Sequence, residues 1–292
     1  MTTTSTAIPA EPSLAWPHFW MKTVSKILKH LALSGLGMLF LFPFAWLVLT
    51  SFKTPGEIMM MPPPLFPKEW QWSNYIRVVE EVEFFRYMGN TLTLFAAKAV
   101  GAVLSCSLAA YGFSRLNWPG RDTVFVLVLA TMMLPFQVTM IPLYITWTRL
   151  DLIGTYYPLV VPSWLGYAFS IFLLRQFFRT IPTELSEVAR IDGCSEFRVF
   201  WQIILPLAKP ALITVVLYEF VWTWSDFLGP LLYINDMERW TLSLGLLQFR
   251  SDKETFWELL MAASTLTTLP AVVLYFFGQK TFIEGIATTG FK

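Results

Sequence analysis

The sequence predicts an all-α, polytopic integral membrane protein with six transmembrane helices, and three observations support this. Of 292 residues, 55% are hydrophobic and 14% charged, whereas soluble domains carry about 25% charged residues. The apolar residues gather into six blocks, each long enough for the roughly 20 helical residues that cross a hydrocarbon core. Trp and Tyr collect near the block ends, among them Trp118, Trp147, Tyr156, Tyr157 and Tyr233, as in an interfacial aromatic belt. In lipid each backbone polar group needs a partner within its own segment, so these blocks read as helices and not strands.

Taken in order, residues 1–30 form a cytoplasmic N-terminal segment, and residues 31–292 form the membrane domain. Residues 1–12 are polar. The stretch from Trp16 to His30 mixes aromatics with Lys22, Lys26 and Lys29, which suits a helix lying along the inner interface. The spans fall at about 31–52, 87–114, 123–148, 152–174, 210–235 and 259–279. Four of them carry no Asp, Glu, Lys or Arg; the second holds Lys98 and the fifth holds Glu219 and Asp226. The first block is too long for a signal-peptide core and lacks a small-x-small cleavage site after it. Twelve lysines and arginines fall on the side that carries both termini and eight on the other, so the positive-inside rule places both termini in the cytoplasm.

The connections differ in content. The outer loop 53–86 contains Met59-Met60-Met61-Pro62-Pro63-Pro64, necessarily extended, followed by Trp70, Trp72 and Tyr75. The outer segment 236–257 has room for a short surface helix. The inner turn at Asn117-Trp118-Pro119-Gly120 is tight. No internal repeat is visible, which argues against a transporter built from two similar halves.

The inner loop 175–209 is the informative one. Thr183 is placed to cap a helix whose first turn holds Glu184 and Glu187, favourable at the positive end of the helix dipole. Glu187 and Arg190 lie three apart, at pairing distance on a helix. Asp192-Gly193 breaks that helix, because glycine enters the left-handed region at no steric cost. A second helix should then carry Phe197, Phe200, Trp201 and Ile204 on one face, pinned to the membrane, and end at Leu205-Pro206. Pro210 opens the next span.

Glu187-Val188-Ala189, Asp192-Gly193, Phe197, Ile204 or its neighbour Ile203, Leu205-Pro206 and Pro210 resemble the EAA loop of ABC importer permeases. Ser51-Phe52-Lys53, Asn90-Thr91-Leu92, Ala110 to Arg115, Trp224-Ser225-Asp226-Phe227 with Pro230-Leu231, and the tail from Gln279-Lys280 to Lys292 extend the likeness. Together they resemble the shorter, six-span partner of maltose-type carbohydrate permeases, over most of residues 30–292. Val188, Cys194 and Ser225 depart from the family pattern. The resemblance implies the ABC importer permease fold and an ATPase-coupling loop built from Glu184, Glu187, Ala189, Asp192, Gly193, Phe197 and Pro206. It also implies a heterodimer with a second permease subunit, two copies of a cytoplasmic ATPase subunit and an extracytoplasmic solute-binding protein. The location would be a bacterial cytoplasmic (inner) membrane and the cargo an oligosaccharide or related compound.

No cofactor is expected in this chain. It lacks a G-x-x-x-x-G-K-[ST] phosphate loop, so ATP and Mg would be bound by the partner ATPase. With His18 and His30 as the only histidines, neither a metal cluster nor a catalytic triad is indicated. The expectation is a non-catalytic transport subunit.

Charges inside spans usually mark a pathway or a buried partner. Glu219, Trp222, Thr223, Asp226 and Pro230 share one helical stripe by their spacing. A carboxylate, ring and hydroxyl on one stripe suit a sugar, which offers hydroxyls and a C–H face. Three readings stay open: a structural Lys98–Glu219 pair, a substrate path along the stripe, and Lys98 as counter-charge to an acidic substrate. The rival functions are an ABC permease for another solute class, an ion-coupled secondary transporter and a polytopic membrane enzyme.

Overall fold

The computed structural model describes the backbone of residues 15–250 and 255–290, and side chains from residue 24 to residue 279 within them. Among the described residues the regular secondary structure is helical, apart from one isolated bridge between Arg250 and Thr255. The principal elements are α1 (Ala15–Ser51), α2 (Ser73–Glu81), α3 (Phe84–Arg115), α4 (Arg121–Ala130), α5 (Phe136–Arg149), α6 (Tyr157–Leu165), α7 (Ala168–Thr180), α8 (Glu184–Ile191), α9 (Glu196–Val199), α10 (Lys209–Ser225), α11 (Leu228–Tyr233) and α12 (Trp257–Gly290). Among the described residues, four helices are long and apolar enough to cross a membrane, or up to six if each of two bent pairs counts as one span.

The bends have chemical causes. Between α4 and α5 the axis turns by 95° at Leu134-Pro135. Proline has no N–H to give, and it pushes the preceding residue out of the helical region; Leu134 is accordingly extended, at φ −81° and ψ 114°. Between α6 and α7, Gly166 takes φ +93°, a conformation that side chains resist. The second bent pair, turning 77° at Ala208, separates the short helices after Ser195 from α10. The second helix of the loop therefore runs past Pro206, through a π-helical turn at Phe200–Ile204, and breaks two residues later than the sequence suggests.

Helix α3 is the centre of the fold, packing against α6, α7 and α10. Its 32 residues span about 48 Å at helical rise, enough to reach from one end of the bundle to the other. It approaches α6 so closely at Gly101 that a methyl there would overlap the Trp164 indole. Two apolar cores sit at its ends. One gathers Tyr111, Phe113, Phe178, Val199, Phe200 and Ile204. The other gathers Val78, Tyr87, Phe220, Trp224, Leu242 and Leu259.

Several boundaries differ from the expected ones. α1 is one continuous helix, so the stretch from Trp16 to His30 continues into the first span. Its apolar side chains from Val24 to Phe42 are exposed, and α1 joins the bundle chiefly through α12. At its end Asn74 donates to the carbonyls of Ser51 and Lys53 (2.8 and 3.1 Å), and Phe52 nests among Trp70, Trp72 and Tyr75. The helices of the expected fourth span, α6 and α7, start at Tyr157 and end at Thr180, so Arg175 and Arg179 stand on the last turns of α7 and not in the loop.

Candidate functional site

The knuckle between α8 and α9 is built by its glycine. Gly193 has φ +84°; its N–H donates to the Arg190 carbonyl (3.0 Å), and the Cys194 N–H reaches back to the Ala189 carbonyl (2.9 Å). This pair of bonds is the Schellman closure of a helix C-terminus. Ser195 then caps α9, its hydroxyl accepting from the Arg198 N–H. Of the coupling residues expected from the sequence, Ala189 is buried, while Glu184, Glu187, Asp192, Gly193, Phe197 and Pro206 are exposed. Leu185, Val188 and Ile191 are exposed beside them, Ile191 to 84%.

Three expectations for this loop are corrected. Thr183 makes no side-chain cap; it has helical dihedrals, and its carbonyl, not its hydroxyl, receives the Ser186 and Glu187 N–H groups. Arg190 pairs with Glu196 across the knuckle and not with Glu187 along the helix, because the turn at Gly193 brings Glu196 beside it. The four apolar residues of the second helix do not share a face. Phe200 and Ile204 enter the core, whereas Phe197 and Trp201 stack on one another in the open (6.2 Å, 15°).

The knuckle is bolted to the end of α3. The Tyr111 hydroxyl donates to Glu196 Oε2 (2.6 Å), Arg190 donates to both Glu196 oxygens, and the Tyr111 ring meets Phe200 edge-on at 5.2 Å. The Arg190 guanidinium, then the Tyr111 hydroxyl, hold the Glu196 carboxyl below the usual glutamate range. Two arginines cross-cap the neighbouring helix ends. Arg115, on the last turn of α3, donates to the Phe178 and Ile181 carbonyls that end α7. Arg175 of α7 donates to the Phe113 carbonyl near the end of α3 (3.1 Å) and lies over the Phe125 ring (4.0 Å). Cations at two helix C-termini oppose the negative ends of both dipoles and satisfy carbonyls that have no intrahelical partner. Tyr111, Arg115, Arg175 and Glu196 were not selected as site residues from the sequence. Their partners lie 62 to 85 residues away, and only the segment Ala110 to Arg115 had drawn attention, through family likeness.

The far end of α3 holds the segment after α11 in the same way. Asn90 donates to the Glu238 and Trp240 carbonyls (2.8 and 2.9 Å), Thr91 accepts from the Leu242 N–H (2.9 Å), and Gln248 donates to the Tyr87 hydroxyl (2.7 Å).

Midway along α3, Lys98 Nζ lies 3.0 Å from Glu219 Oε1 of α10, with side chains 5% and 3% exposed. Thr223 donates to the same oxygen (3.2 Å). The geometry thus joins Lys98 and Glu219 as a buried ion pair. The stripe expected along this span is only partly assembled. Glu219 and Thr223 are buried and Trp222 is 61% exposed. The helix ends at Ser225, so Asp226 leaves the register; its carboxylate instead accepts from the Gly229 N–H (3.0 Å) and starts α11. Beside Glu219, a half-open cavity of about 360 Å³ is lined by residues of α7 and α10 and the bend between α4 and α5, Tyr167, Phe169, Tyr218 and Trp222 among them.

The family model for the inner membrane component of binding-protein-dependent transport systems matches residues 101–287. A putative ABC transporter permease protein, ORF2, of Caldicellulosiruptor sp. (strain Rt8B.4) is 36% identical over 251 residues, covering 86% of this chain and 91% of the relative. The arabinooligosaccharides transport system permease protein AraQ of Bacillus subtilis (strain 168) is 32% identical over 273 residues, covering 92% and 97%. A crystal structure of a bacterial ABC transporter involved in the import of the acidic polysaccharide alginate superposes with a TM-score of 0.79 over 94% of this chain and 100% of that chain; at 21% identity it shares the fold. A match over well more than half the chain, which takes in the knuckle and α10, makes this chain a member of the binding-protein-dependent transport system inner membrane components, the membrane-embedded permeases of ABC transporters.

Proposed function

We propose that this chain is the shorter permease subunit of an ATP-driven carbohydrate importer in a bacterial inner membrane. It crosses the membrane six times with both termini cytoplasmic, pairs with a second permease subunit, and works with two copies of an ATPase subunit and an extracytoplasmic binding protein. ATP and Mg are bound by the ATPase, and this chain carries out no chemistry itself. The family's dependence on a binding protein and the arabinooligosaccharide relative support this reading of partners and cargo.

The observation behind the mechanism is the knuckle's attachment to α3. Its outward face combines Glu184, Glu187 and Asp192 with the apolar Leu185, Val188 and Ile191, a mixture suited to a cleft on a partner protein. Motion of an ATPase dimer pressing on that face passes through the Tyr111–Glu196–Arg190 contacts and the two arginine cross-caps into α3. Because α3 also grips the segment at its far end, the helix moves as a lever and not as a hinge. A rigid element with two positions is what such coupling requires.

The test is reconstitution of the purified assembly with wild-type chain and with Gly193→Trp. ATPase co-purification and sugar-dependent ATP hydrolysis with the wild type, lost or uncoupled in the variant, are the expected results. Transport by the chain alone, driven by an ion gradient and indifferent to Gly193, would replace this reading with a secondary transporter.

A further inference from the structure

The cavity beside Glu219 takes no part in the lever. Its volume of about 360 Å³ falls in the range of small-molecule sites, about 300–1,000 Å³. Phe169, Tyr218 and Trp222 form one continuous wall: Phe169 and Tyr218 centroids are 4.8 Å apart at 37°, and Tyr218 and Trp222 are 6.2 Å apart at 19°. Glu219 closes the inner side. Its Oε1 is taken by Lys98 and Thr223, while Oε2 accepts no hydrogen bond among the described residues.

We infer that this cavity is a subsite for a neutral sugar ring of the transported carbohydrate, an inference that rests on the carbohydrate reading above. The C–H face of the ring packs on Tyr218 and Trp222, and one ring hydroxyl donates to Glu219 Oε2. A lipid tail or an apolar side chain of a partner subunit would fill the aromatic wall equally well. Either would strand a carboxylate oxygen away from any donor, which is costly in a buried setting. A sugar supplies both the apolar face and the donor. Neutrality follows from the ion pair: Lys98 is already engaged, so a uronate carboxylate arriving at Oε2 meets a like charge with no free cation to offset it.

The test uses the assembled transporter in nanodiscs, with Met132→Cys at the cavity rim in a Cys194→Ser background, Cys106 being buried. A water-soluble maleimide reports access, and arabinotriose, maltotriose and an alginate trisaccharide are the probes. The subsite predicts labelling in the assembled transporter, slowed by the neutral trisaccharide that the wild type imports and not by the alginate trisaccharide. Trp222→Leu, at an exposed position that leaves the core intact, should remove that protection. It should also raise the apparent KM for uptake about two- to tenfold, the loss of one stacking contact.

Labelling of the isolated chain but not of the assembly would make this surface the contact with the second permease, and the subsite would fall. Labelling without protection by an imported sugar would also overturn it, and equal protection by the alginate trisaccharide would overturn its neutrality. Import of none of the three, with ATP hydrolysis still coupled through Gly193, would refute the carbohydrate reading and the subsite with it while leaving the ABC mechanism standing.

Discussion

Lys98→Met should destabilise the protein far more than a surface charge loss, and Lys98→Met/Glu219→Leu should restore most of what is lost. Lys98 and Glu219 are 4% and 2% exposed and 3.0 Å apart. Removing one partner of such a pair leaves an uncompensated buried charge and costs about 3–5 kcal/mol, whereas replacing both by apolar residues is often close to neutral. Unfolding entropy of about 2.1 cal/mol/K per residue over 292 residues gives roughly 0.6 kcal/mol/K. The single variant should therefore melt about 5–8 °C below wild type, and the double variant within about 2 °C of it. The assay is thermal unfolding in detergent, followed by the monodisperse fraction after heating. A single variant that melts like wild type would show that water or lipid headgroups reach Glu219 and that the pair is not structural. A double variant as unstable as the single would mean that Lys98 acts by its shape and not its charge.

Other outcomes follow from the same contacts. Tyr111→Phe and Arg190→Gln should leave assembly intact but lower the amount of sugar moved per ATP, read by parallel uptake and phosphate-release assays in proteoliposomes. The Glu196 carboxyl sits below its usual range because Arg190 and Tyr111 stabilise its charged form; its contribution is therefore present above the ordinary glutamate pKa and lost only as pH falls through the lowered value. Wild-type coupling should hold when the knuckle face is brought to about pH 4.3, the unperturbed glutamate value, while Arg190→Gln should already be failing there. Gly101→Ala should cost about 1–3 kcal/mol, as overpacking does, since the new methyl overlaps the Trp164 indole; Gly101→Ala/Trp164→Leu should recover it in the same melting assay. Asn90→Ala removes two bonds to the Glu238 and Trp240 carbonyls, so amide exchange should accelerate within residues 236–249 and leave residues 184–207 unchanged.

Much of the fold was legible because membrane helices are written in local composition. A run of 20 apolar residues announces a span wherever it occurs, and Gly193 announced the knuckle because left-handed backbone strongly favours glycine. The capping role given to Thr183 and the Glu187–Arg190 pair were both inferred from spacing along a single helix; Thr183 takes helical dihedrals and so does not cap, and the turn at Gly193 offered Arg190 a better partner in Glu196. The stripe from Glu219 to Pro230 assumed an unbroken helix, but α10 stops at Ser225. Its spacing arithmetic holds for Glu219 and Thr223 and fails for Asp226.

By itself, then, the sequence determined which segments form long apolar helices, where the chain turns left-handed, and which family pattern the inner loop carries, since these depend on residues within a few turns of one another. Only the tertiary structure decided that Lys98 faces Glu219, that Tyr111 and Glu196 lock the knuckle to α3, that Arg115 and Arg175 tie α3 to α7, and that Phe169, Tyr218 and Trp222 make one wall. Those contacts join residues up to 121 positions apart, and side-chain partners at such separations are set by how helices pack, which no local pattern encodes.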